Sequence, residues 1–71
     1  MHVTLTIDVE RETDRRWLAE VPELPGVLAY GSTEAVAVIT AEAIALRVLA
    51  DRLERSGDGR LVALTFTRTT S

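Results

Sequence analysis

The chain has 71 residues, and its eight basic residues, all arginine, are outnumbered by eleven acidic ones, for a formal net charge of −3. A single domain of that size buries only about 60% of its unfolded surface, and with no cysteine to supply a disulfide or a thiolate metal site, oligomerisation is the remaining common support. The acid excess argues against the basic face that nucleic-acid binding requires. No basic region precedes an apolar run at the N-terminus, and Glu42 and Arg47 interrupt the longest apolar stretch short of the roughly 18 residues of a membrane span. A cytoplasmic domain without signal peptide or membrane segment is the expectation.

Val3, Leu5, Ile7 and Val9 alternate with Thr4, Thr6, Asp8 and Glu10, which predicts a half-buried strand. Thr13, Asp14 and Arg15 make a polar turn. Trp17, Ala19 and Val21 then form a second strand paired to the first as a hairpin, with Leu18 on the opposite face. Pro22 lacks a backbone donor and ends that strand. Pro25 and Gly26 suit the two central positions of a type II turn. Trp17 is expected to be buried beside Leu24, the apolar residue between the two prolines. Val27 to Tyr30 is a short third strand, broken by Gly31.

Ser32 or Thr33 caps a helix predicted from Glu34 to Ser56. Gly57 stops it, and Asp58 and Gly59 continue the turn. Leu61 to Thr67 is a fourth strand with Val62, Leu64 and Phe66 on one face, and Thr69 to Ser71 is expected to fray. The predicted class is α+β, a single domain over 1–71: an antiparallel β-β-β-α-β sheet with one long helix on one face.

The helix carries two apolar stripes. Ala37, Ala41, Ile44, Ala45 and Val48 fall on one side, and their small size would allow close approach to a sheet. Ile39, Leu46, Leu49, Ala50 and Leu53 fall on another, with a near-heptad rhythm suited to helix–helix packing. Either one wide arc faces the sheet or the second stripe is a surface for self-association or a partner. Four strands are little sheet to cover both sides, which favours the second reading and makes Ile39, Leu46, Leu49 and Leu53 the candidate interface.

Chemistry-bearing residues are few. His2 is the lone histidine. Asp8, Glu10 and Glu12 line one strand and would serve a minimal metal-dependent nuclease only with further ligands. The serines and threonines lack a positioned base, and no phosphate-binding glycine loop is present. Arg11, Arg15 and Arg16 cluster around the first turn as a candidate contact for phosphate or an acidic partner. No catalytic residue, metal site or cofactor is expected.

The stretch Arg16-Trp17-Leu18-Ala19-Glu20-Val21-Pro22-Glu23-Leu24-Pro25-Gly26, continued by Val27 to Thr33 and by Ala45 to Leu53, resembles the HicB-like family of small bacterial proteins over roughly residues 3 to 57. Pro22, Leu24, Pro25 and Gly26 form its signature loop. The resemblance implies a small sheet with one helix, likened to a partial ribonuclease-H-like domain, with no catalytic residue carried over. It further implies an antitoxin that binds and masks a small RNA-cleaving HicA-type toxin. Fuller members add a C-terminal DNA-binding segment; this chain ends after the fourth strand, so direct DNA binding is not expected. Family members usually have paired glutamates at the helix start, where Ala35 and Val36 stand here. A homodimer or higher homo-oligomer is expected, either with such a toxin partner or as a stand-alone interaction module.

Overall fold

The computed structural model describes residues 1–57 and 59–70; the expected turn residue Asp58 and the terminal Ser71 lie outside them. Strand β1 (His2–Arg11) is followed by β2 (Trp17–Glu20), β3 (Leu28–Gly31), a single helix α1 (Glu34–Ser56) and β4 (Ala63–Thr70). The class is α+β: a four-stranded sheet in the order β3-β2-β1-β4, with α1 laid across one face.

The period-two alternation of β1 decides which face is covered. Leu5, Ile7 and Val9 are buried under the helix, while Thr4, Thr6, Asp8 and Glu10 point to the open face. Ala19 on β2 and Ala29 on β3 continue the buried row, and Leu18 and Tyr30 pair on the open face beside Glu10. The hairpin turn closes with the Glu12 N–H donating to the Arg16 carbonyl at 2.7 Å, and holds Arg15 at a φ of 71°.

The expectation of an all-antiparallel sheet fails at one pair. β4 runs parallel to β1, Ala63 opposite His2 through Thr70 opposite Val9. The reason is connectivity. Two hairpin-type reversals bring β3 back to the direction of β1, and a strand reached through a helical crossover emerges parallel to the one it left. β4 also starts two residues later than predicted and stays paired to Thr70, where fraying was expected. Val62, expected on one face with Leu64 and Phe66, precedes the strand and is exposed, whereas Leu64 and Phe66 pack against the core.

The helix has the predicted bounds. Thr33 is the cap, its hydroxyl accepting the Val36 N–H at 3.1 Å, and Gly57 donates its N–H to the Leu53 carbonyl at the other end. Gly31 matters at the helix entry. A Cβ there would stand 2.5 Å from the Ala37 backbone nitrogen, so its missing side chain lets the first turn close directly over β3. Glu34 in that first turn pairs with Arg68 of β4 and ties the edge strand to the helix start.

Trp17 differs from expectation. It is half-buried at the start of β2, opposite Arg11 and Gly31, whereas Leu24 lies beyond the other end of that strand. The Arg11 guanidinium covers the Trp17 ring at 6.0 Å.

Candidate functional site

Length mismatch shapes the molecule. At about 1.5 Å per residue the 23-residue α1 spans about 35 Å, and the 10-residue β1 is about as long at 3.3 Å per residue. β2 and β3 have only four residues each, about 13 Å. They support the N-terminal half of the helix, where Ala37, Ala41 and Ala45 are fully buried and Val38 nearly so. Beyond them the C-terminal half overhangs β1 with no β2 or β3 strand beneath it.

The loop between β2 and β3 partly fills that gap. Pro22 turns the chain away after Val21. The Leu24 N–H donates to the Val21 carbonyl at 3.0 Å, and the Val27 N–H donates to the Leu24 carbonyl at 3.0 Å, closing the turn with Pro25 and Gly26 at its centre. Gly26 has a φ of 85°, the conformation a type II turn requires at that position. The Val21 N–H donates to the Val27 carbonyl at 2.9 Å and shuts the base. Two stacked turns thereby hold Leu24 buried at the loop tip, with Pro22, Pro25 and Gly26 exposed around it.

Glu23 completes the loop. Its carboxylate accepts the Thr6 N–H at 3.0 Å on each oxygen and the Thr6 hydroxyl at 2.7 Å. It takes the place of a β2 partner on a stretch of β1 that β2 does not reach. The Thr6 hydroxyl first, and then the Thr6 N–H, hold the Glu23 carboxyl below its ordinary range.

Past the loop a groove of about 610 Å³ remains open. Val3 and Leu5 of β1, Leu24 of the loop, and Leu49 and Leu53 of α1 line it, joined by Leu61; Arg52 and Ser56 stand at its helical rim. The predicted signature loop and interface residues therefore meet only in part. Leu24, Leu49 and Leu53 converge on the groove. Ile39, 64% exposed, and Leu46, 46% exposed, form with Val36 a separate apolar row on the outer surface of α1. The first stripe faces the sheet, and Leu49 of the second stripe packs against the core cluster as well.

The other candidates separate. Arg11 lies over Trp17, while Arg16 pairs with Asp14 at 2.6 Å and lies over Tyr30 at 4.4 Å, so the arginine cluster is dispersed over both faces. The Arg16 N–H and guanidinium hold the Asp14 carboxyl below its usual range. Asp8 accepts the Thr69 hydroxyl and sits across from Glu20, with Glu10 next along the strand. Glu12 lies past the end of β1. Among the described residues no group of three or more histidines and carboxylates is placed to hold a metal ion, and no helix is long and apolar enough to cross a membrane.

The groove and the Glu23 contact escaped the sequence reading. The signal for both was the imbalance between a first strand alternating over seven residues and a second cut short by Pro22. No protein-family model matches the chain, and no curated protein or solved structure matches it at a significant level.

Proposed function

We propose that the protein is a non-enzymatic, self-associating binding module of the HicB-like kind, acting in the cytoplasm as an antitoxin that binds and masks a HicA-type RNA-cleaving toxin. The observation that carries the reading is the exposed row of Val36, Ile39 and Leu46 on α1. A fully buried side chain of this kind contributes about 1.5–3 kcal/mol, a gain that a chain without disulfides forgoes if the row stays in water. Burial against a symmetry-related copy recovers it, and a twofold dimer is the simplest closed arrangement. The resemblance of the doubly proline-braced loop to the HicB-like signature supplies the toxin partner. The net charge of −3 suits a basic protein partner better than DNA.

Light scattering at tens of micromolar tests the first half. The wild type is expected to be a dimer or larger, and an Ile39→Glu, Leu46→Glu double variant a folded monomer. A monomeric wild type contradicts self-association. Co-expression with a HicA-type toxin tests the second half: co-purification and relief of growth arrest are expected, and growth arrest unrelieved by the chain rejects the antitoxin reading.

A further inference from the structure

We propose that the groove beside β1 receives an extended segment of a partner protein, added to the sheet as a strand along His2–Leu5, with apolar side chains at alternate positions and an acidic group that meets Arg52. The Met1 carbonyl accepts the Val62 N–H at 2.8 Å, so residue 1 turns its backbone toward the β4 side. The Thr6 N–H reaches Glu23 on the opposite side, and β2 pairs with β1 only from Asp8 onward. By the period of two, His2 and Thr4 direct their N–H and carbonyl groups into the groove. Among the described residues, the backbone bonds of the intervening loop are all internal to it, so it gives Thr4 no ladder partner.

The walls fit the same occupant. A strand laid there would turn alternate side chains toward the helix, onto Val3, Leu5, Leu24, Leu49 and Leu53. Strand addition of this kind draws affinity from main-chain hydrogen bonds and specificity from pockets for alternate residues. Arg52 lies at the rim without an ion-pair partner among the described residues, and Glu23, the acidic group that also lines the groove, is already held by Thr6. The chain's own two edge strands are poor occupants: β3 offers only Ala29 and Gly31 on its helix-facing side, and on β4 the residue following Leu64 and Phe66 on that side is Arg68, of the wrong sign for Arg52. The inference stands apart from the antitoxin reading and from the outer row of Ile39 and Leu46.

The test selects from a displayed library of random octapeptides and reads the best binder by amide exchange on the full chain. Enrichment of alternating apolar residues with an acidic end is expected. Bound peptide should slow exchange at the Thr4 amide about tenfold or more while leaving Val3 and Leu5, already directed toward β4, unchanged. N-methylation of the peptide at alternate residues should abolish binding. Arg52→Glu, with its helix content checked by circular dichroism, should weaken the acidic peptide about tenfold, the scale set by loss of one charge-assisted contact. No enrichment, equal binding of the N-methylated peptide, or protection elsewhere with Thr4 unaffected would overturn the proposal. Concentration-dependent protection of Thr4 without peptide would also overturn it, by giving the groove to a second copy.

Discussion

The two halves of α1 rest on different supports, and the contrast explains where this small protein is closed and where it is open. The N-terminal half sits on β2 and β3 through alanines, with a glycine beneath its entry. Small residues on both sides bring the backbones close and leave no space. The C-terminal half carries larger residues, Leu49 and Leu53, over a part of β1 that has lost its β2 neighbour, and the result is a groove. A helix nearly three times as long as β2 and β3 has to overhang them somewhere. The braced loop decides how much of the overhang is filled.

Substitutions that add volume separate the halves most strongly. Ala41→Leu forces extra methylenes into a closed contact and is expected to cost about 1–3 kcal/mol or more. The same-sized insertion at Ala50, which is exposed, should be close to neutral. Denaturant midpoints of the two variants measure the difference, and equal losses would erase the distinction between the halves. Gly31→Ala belongs with the first group. The added methyl meets backbone rather than a flexible side-chain end, so helix and strand must separate, with a loss of about 1–3 kcal/mol in the same measurement.

Truncation should show the reverse asymmetry. Ile7→Ala, at a fully buried core position, is expected to cost about 2–5 kcal/mol. Leu53→Ala on the groove wall, half-buried beside open space, should cost about 1 kcal/mol or less and enlarge the groove. A larger loss at Leu53 than at Ile7 would show the groove to be closed in solution.

How far the sequence reveals this architecture depends on the range of the interaction. The helix bounds, a cap at Ser32 or Thr33, the Pro25-Gly26 turn and the alternation of β1 rest on neighbours a few residues apart, and all are found, with Thr33 as the cap. The direction of β4 is a property of the connections around it, invisible in its own residues. The Glu23 contact with Thr6 joins positions 17 apart and fills a vacancy that exists only once β2 has ended. The division of the second stripe into an outer row and a groove wall likewise needs the sheet's width, which periodicity does not contain.

The loop contributes a smaller, pH-dependent effect. Glu23 titrates below its ordinary value when folded, so its contribution is fully present above the unfolded value of about 4.3 and is lost as pH falls through the lower folded value. Asp14 acts in the same direction at the hairpin turn. Acid unfolding of Glu23→Gln is expected to have a shallower dependence on pH below about 4.3 than the wild type. Identical acid limbs would remove Glu23 from the account of how the loop is anchored.

Residue-resolved amide exchange along α1 in the free protein distinguishes a seated half of the helix from an overhanging one. Amides of Ala41 and Ala45, over the closed contact, are expected to exchange about tenfold or more slowly than those from Leu49 to Arg52 over the groove. Uniform protection from Ala41 to Arg52 would contradict the division of the helix into a seated half and an overhanging one.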